Sequence, residues 1–152
     1  MSRDITEFFP RLTTMSQVGE VSVHGWDIKE KKAILSKAAA GSEATTMGGK
    51  SSGPKTVNKA FGKTGAARVT WPVATKAEAD SMAGGQFNEM ALGYISGELT
   101  CGGRSDLHAG VVVKIEGAGK NFSGLYYVTA VTHRVRPRGG YQTRLQVRRN
   151  AT

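Results

Sequence analysis

Two stretches of the chain hold the residues whose spacing could do chemistry. ATTMGGKS, residues 44–51, ends in the GKS of a phosphate-binding loop, where backbone N–H groups cradle phosphate and the lysine reaches its outer oxygens. Ala44 stands where the first glycine is usual, no buried strand runs directly into the segment, and SSGPK follows where a helix should begin. The match therefore reads as coincidence in a Gly/Ser/Thr-rich loop. The second stretch, THRVRPRGGYQTRLQVRRN at 132–150, carries six arginines and no acid. Elsewhere His24, His108 and His133 lack metal-ligand spacing, and none stands near Cys101 in a nucleophile arrangement. Acids are scattered singly, and Gly117 and Gly119 lack the third glycine of a dinucleotide fingerprint. No catalytic, cofactor-binding or metal site is expected.

Composition narrows the class. A chain of 152 residues can support one hydrophobic core without a metal or disulfide staple, and a single domain over 1–152 is expected. Its 21 Lys and Arg against 12 Asp and Glu give a formal charge of +9, which favours polyanionic partners but says nothing about fold. Cys101 is the only cysteine, so no intrachain disulfide forms. No apolar run approaches the roughly 20 residues of a membrane helix, and MSRDITEFF has no signal-peptide core. A soluble, unprocessed chain without membrane insertion is expected.

The elements that must position these residues are mostly strands. VGEVSVHGW at 18–26 alternates with period two, Val21 and Val23 on one face and Glu20, Ser22 and His24 on the other. KKAIL, ending at Leu35, is its hairpin partner across the turn DIKE. From 38 to 66 the composition turns to glycine, serine and threonine, with too little apolar surface to offset the entropy of ordering it; a flexible loop is expected. ATKAEADSMAGGQFNEMALG, from Ala74, reads as the one helix. Thr75 and Glu78 have capping-box spacing, Ala79, Met82, Ala83, Phe87, Met90 and Ala91 form an apolar stripe, and Gly93 is a terminator. Gly84 and Gly85 each cost up to about 1 kcal/mol in a helix interior, which a β-surface lying close against Gly84 would explain. Beyond them YISGELTCGG, GVVVKIEGAGK, NFSGLYYVTAVTHRV and YQTRLQVRRN read as four consecutive antiparallel strands.

The last two strands fix the meaning of the arginines. With RPRGG as a five-residue hairpin loop, Val135 opposes Tyr141, His133 opposes Thr143, Val131 opposes Leu145 and Thr129 opposes Val147. The alternate face pairs Arg134 with Gln142, Thr132 with Arg144 and Val128 with Arg148. Arg134, Arg136, Arg138, Arg144 and Arg148 thus form a candidate polar contact face, and Val131, Val135, Tyr141, Leu145 and Val147 point inward. Single-strand nucleic-acid binders interleave basic and aromatic residues, whereas here Tyr126 is the only aromatic assigned to the arginine face, and the helix is not basic. Nucleic-acid binding by a basic β-module is the minority alternative.

The order of segments resembles a known family, the tail-hub proteins of contractile phages known as late control gene D proteins, with the related hub portion of type VI secretion spike proteins. The resemblance rests on Gln17, Val18, Glu20, Val21 and Val23 leading into Gly25-Trp26-Asp27; on AEADSMAGGQFNEMALGYISGELTCGG; and on F-S-G-x-Y-x-V-T from Phe122, a histidine at His133, G-Y-x-T from Gly140 and the closing Arg149-Asn150. Family members are over twice this length, so the chain resembles only the C-terminal portion of a hub, and His108 stands where many relatives have proline or a small residue. The resemblance implies a mainly β, α+β fold, an antiparallel β-barrel of the tail-tube or hub type with one packed helix and a long mobile loop. It implies a structural role without catalysis or cofactor, joining tail tube to spike in a trimer, within a virion tail or phage-like particle assembled in the bacterial cytoplasm. Its implied partners are other copies of itself, a spike protein and a tail-tube protein. A tail-associated peptidoglycan hydrolase is the remotest alternative.

Overall fold

The computed structural model describes residues 5–62 and 65–152. In chain order the elements are β1 (Ile5–Leu12), β2 (Glu20–Asp27), β3 (Lys32–Ala39), α1 (Gly53–Phe61), β4 (Ala66–Thr70), α2 (Lys76–Leu92), β5 (Ile95–Gly102), β6 (Val112–Ile115), β7 (Gly124–Arg136) and β8 (Gly140–Arg149). They form a five-stranded sheet of order β1-β5-β8-β7-β6 and a three-stranded sheet of order β3-β2-β4.

The small sheet follows the expected hairpin. Asp27 Oδ1 accepts from the backbone N–H groups of Lys29 and Glu30, at 2.8 and 3.0 Å, which closes the DIKE turn. Val21 and Val23 point into a core shared with Ile34 and Val73 and with Ala79, Ala83 and Phe87 of α2. Helix α2 starts as its capping box requires: Thr75 Oγ1 accepts from Glu78 N at 3.2 Å. Glu78 Oε2 returns to Ala74 N at 3.0 Å, one residue before the cap. No β-surface lies against Gly84, however. A Cβ added at Gly84 or Gly85 would meet nothing within 4 Å, so the expected close approach is absent.

The large sheet departs further from expectation. Its strands are antiparallel, but β5 pairs with β8 and β1 rather than with β6. The closed barrel is therefore corrected to an open half-barrel, with β1 and β6 as its edges. Leu99, Tyr126, Val128, Leu145 and Val147 belong to its buried core cluster. Strand β1, carrying Pro10, was not legible as a strand, since proline is compatible with strands chiefly at edges.

The segment 38–66 is not a structureless loop. It contains α1, so the single-helix expectation is also corrected; residues 63 and 64 lie outside the described residues. Pro54 in the first turn supplies a pre-set φ where no N–H partner is lost. Gly62, at φ 78°, donates its N–H to Asn58 O and ends the helix. Gly53, Pro54 and Val57 are buried, and Gly53 touches the Tyr94 ring so closely that a Cβ would lie 2.4 Å from Tyr94 Cγ. A few well-seated residues hold the segment where its average composition argued against order.

Candidate functional site

Strand register builds the arginine face row by row. Glu7, Thr100, Arg144 and Thr132 align across β1, β5, β8 and β7; Phe9, Glu98, Gln146 and Ala130 form the next row; Arg11, Ser96, Arg148 and Tyr127 form the third. Arg134, Arg136 and Arg144 meet in a polar hollow of about 290 Å³ with Glu7, Thr100 and Gln142. Arg148 stands beside Arg11 and Glu98 in a neighbouring hollow. Arg138 sits in the hairpin loop outside both, so the five expected residues do not form one site.

Charge on this face is partly cancelled. Arg144 pairs with Glu98, and Arg148 Nη1 reaches Glu89 Oε1 of α2 at 2.8 Å. Each exposed pair contributes about 0–1 kcal/mol; their effect is to orient the side chains. Arg134, Arg136 and Arg138 have no ion-pair partner among the described residues.

The hairpin register holds from Val135↔Tyr141 to Ala130↔Gln146 and then slips. A bulge between Val128 and Ala130 leaves Thr129 unpaired and sets Val128 opposite Val147 and Tyr127 opposite Arg148. An extra residue in one strand reverses which side chains face the core. Tyr126, assigned to the arginine face, is instead fully buried, and Tyr127 takes its place there. The outer end of the hairpin is also not inward: Val135 is 78% exposed and Tyr141 37%. The loop itself is three residues, because Arg136 pairs with Gly140.

The landmark residues of the closing hairpin resolve into two contacts. Arg149 is only 3% exposed. Its Nη1 donates to Ser123 O at 2.7 Å, and its guanidinium lies 5.6 Å from the centre of the Tyr126 ring. Gly124, at φ 146°, makes room: a Cβ there would be 2.5 Å from Arg149 Cζ. Burial pushes the Tyr126 hydroxyl pKa up, and the Arg149 guanidinium pulls the other way. The F-S-G-x-Y run and the closing arginine are thus two halves of one cradle. In the second contact, His133 Nε2 faces Leu107 O at 3.2 Å while Nδ1 faces Thr143 Oγ1 and Tyr141 Oη at 3.2 and 3.0 Å. Leu107 O can only accept, so Nε2 carries a proton in that contact. Thr143 Oγ1 also accepts from Arg104 N at 2.9 Å. Sequence reasoning placed Thr143 on the mostly apolar face but missed Arg149 as a buried group; the only signal was its place in those landmarks.

Of the reasons expected for the failure of the phosphate-loop resemblance, one does not hold, and the structure adds another. A helix does follow, since α1 begins at Gly53. The loop's N–H groups are already taken: those of Lys50 and Ser51 donate to Thr152 O, and that of Gly53 donates to Asn150 O. Asn150 Nδ2 donates to Thr45 O at 2.6 Å, so the chain's own last residues occupy the loop. His24, His108 and His133 do not converge; His24 Nε2 accepts from Arg68 Nε at 3.1 Å, and His108 Nδ1 contacts Ala109 O. Cys101 is buried. Among the described residues no group of three or more His, Cys, Asp and Glu could hold a metal ion, and no helix is long and apolar enough to cross a membrane.

Known proteins place the chain as follows. The sequence pattern of the Alg8 N-terminal domain matches residues 2–137. The chain belongs to the Alg8 N-terminal domain family. That match ends in the hairpin loop, before β8. No curated protein matches the sequence. Among solved structures, a tail protein from Neisseria meningitidis MC58 superposes with a TM-score of 0.64 at 13% identity, covering 97% of this chain and 41% of its own. The 43 kDa tail protein of prophage MuSo2 from Shewanella oneidensis gives 0.62 at 11%, covering 98% and 42%. The Alg8 N-terminal domain family member thus has a fold seen in these two tail proteins, one of them from a prophage, and spans about two-fifths of their length.

Proposed function

We propose that the chain is a non-catalytic structural module of a phage tail or phage-derived injection particle. More narrowly, we read it as part of the baseplate hub that joins tail tube to spike, present in three copies and assembled in the bacterial cytoplasm. The observation that carries the reading is the tail-protein fold, extending over 97% of the chain. The landmark residues support it, since Arg149, Gly124, Tyr126, His133 and Thr143 are engaged in holding strands together. The expected contact face of Arg134, Arg136, Arg138, Arg144 and Arg148 serves in this reading as a surface toward neighbouring subunits.

Deleting the gene in its host and imaging induced lysates tests the proposal. Loss of complete tails, restored by a plasmid copy, and co-purification with tube and spike proteins are expected. Normal particles without the protein would overturn it. One observation favours polyanion binding as a second reading: Arg134, Arg136 and Arg138 lack ion-pair partners among the described residues. DNA affinity that falls steeply with salt and is lost when Arg134, Arg144 and Arg148 become glutamine would support that reading instead.

A further inference from the structure

Two aromatic rings stand among the arginines of the large sheet, on the face turned away from its core. Phe9 of β1 is 66% exposed. Its neighbour Phe8 points the other way and meets the buried Tyr126 ring edge to face, with 5.8 Å between centres. Register puts Phe9 in the row of Glu98 and Gln146, and the half-buried Tyr127 in the row of Arg11, Ser96 and Arg148. Phe9, Arg11 and Arg148 line one hollow of about 330 Å³ with Thr129 and Gln146. Arg144, in the hollow it shares with Arg134 and Arg136, is four residues from Arg148 along β8, roughly 13 Å at about 3.3 Å per residue. The sequence hid both rings: β1 did not read as a strand, and the bulge at Thr129 put Tyr127 where Tyr126 was expected.

The same face is a net cation. Arg11, Arg134, Arg136, Arg144 and Arg148 stand against Glu7, Glu89 and Glu98. Glu98 and Glu89 are held by Arg144 and Arg148, whereas Arg11, Arg134 and Arg136 have no ion-pair partner among the described residues.

We propose that this face binds single-stranded nucleic acid, with bases stacked on Phe9 and Tyr127 and phosphates held by Arg11, Arg134 and Arg136. The inference rests on the polyanion reading of the arginines and narrows it. Adjacent rows of basic and aromatic side chains supply both parts that a sequence-tolerant single-strand binder needs, a positive groove for the backbone and a platform on which unpaired bases stack. A duplex keeps its bases paired and stacked inside, so it could use the arginines but not the rings. An acidic protein segment would likewise gain nothing from Phe9.

Fluorescence anisotropy tests the proposal with a labelled oligothymidylate of about ten nucleotides, within the roughly 4–16 that comparable sites cover. A duplex of the same length and an oligoglutamate of equal charge are the comparison probes. The single strand should bind about tenfold more tightly than either, and about three phosphate contacts should weaken its binding roughly 20-fold between about 50 and 200 mM salt. Phe9→Ala should weaken it roughly 5- to 150-fold and leave the salt dependence unchanged, while Phe9→Trp, which keeps a ring, should bind as wild type does. Arg134→Gln with Arg136→Gln should flatten the salt dependence. Phe9 is an exposed side chain on an edge strand, so its variants should keep the wild-type circular dichroism and urea midpoint. Equal binding of single strand and duplex, or a Phe9→Ala chain that binds as wild type, overturns the inference and leaves the polyanion reading in place. A chain that binds none of the three probes overturns both. Oligoglutamate binding as tight as that of the single strand overturns the inference by assigning the face to an acidic protein segment.

Discussion

Alanine at Gly84 and alanine at Gly53 should move stability in opposite directions, although both glycines are helical. Gly84 lies within α2, and its Cβ would meet nothing within 4 Å. The substitution then only removes backbone freedom from the unfolded chain, a gain of about 0.5–1 kcal/mol. For a chain of this size that raises the melting temperature by roughly 1–4 °C. At Gly53 the added Cβ would lie 2.4 Å from Tyr94 Cγ and 2.7 Å from Tyr94 Cβ. Those atoms are the root of a side chain only 4% exposed, so the ring cannot swing away. Overpacking of this kind costs about 1–3 kcal/mol, more than the helix gain, and a net loss of about 1–2 kcal/mol is expected. Urea unfolding followed by tryptophan emission and far-ultraviolet circular dichroism measures both, and coincidence of the two probes tests whether a two-state treatment holds. A lower midpoint for Gly84→Ala, or an unchanged one for Gly53→Ala, would refute the packing argument.

Arg149→Lys should lose roughly 1–3 kcal/mol, since an ammonium cannot keep both the Ser123 carbonyl bond and the planar stack on Tyr126; a midpoint equal to wild type would show the cradle to be incidental. Tyr126 should make the fold sensitive to alkali. Its folded pKa is raised above the ordinary value of 10.0 by burial, so its contribution is full below pH 10 and is lost as pH rises through the higher folded value, where the unfolded chain ionises first. Tyr126→Phe should flatten that decline, and an unchanged profile would contradict it. Amide exchange should be slow at residues 57–60 of α1 and faster across 40–45; uniformly fast exchange from 42 to 60 would restore the flexible-loop expectation.

Local signals carried the local structure. The capping pair Thr75 and Glu78 marked the start of α2, the alternation of Val21 and Val23 marked β2, and the apolar–polar alternation of β7 and β8 gave their register as far as Ala130 and Gln146. The same alternation could not show the bulge at Thr129, because a bulge adds a residue without changing residue types. Tyr126 and Tyr127 therefore exchanged faces between expectation and structure. Composition did not reveal α1 within 38–66, because an average over many polar residues hides Gly53, Pro54 and Val57, whose seating depends on Tyr94 and on the distant residues 150–152. Strand β4 is five residues long and pairs in parallel with β2, too short for a period to register.

The candidate site divided along the same line. The sequence by itself determined which residues are arginines, that they alternate with other residues along a hairpin, and that Arg134, Arg144 and Arg148 recur with a period of two on its strands. The tertiary structure decided that Arg144 and Arg148 are ion-paired, that Arg134, Arg136 and Arg138 have no ion-pair partner among the described residues, and that Arg149 is buried against Gly124 and Tyr126. It also decided that the half-barrel stays open between β1 and β6 and that Phe9 and Tyr127 stand on the arginine face. The physical reason is range: propensity, capping and period act over a few neighbouring residues and are written in order along the chain. Pairing, burial and ion pairs join residues tens of positions apart and exist only once the chain has folded.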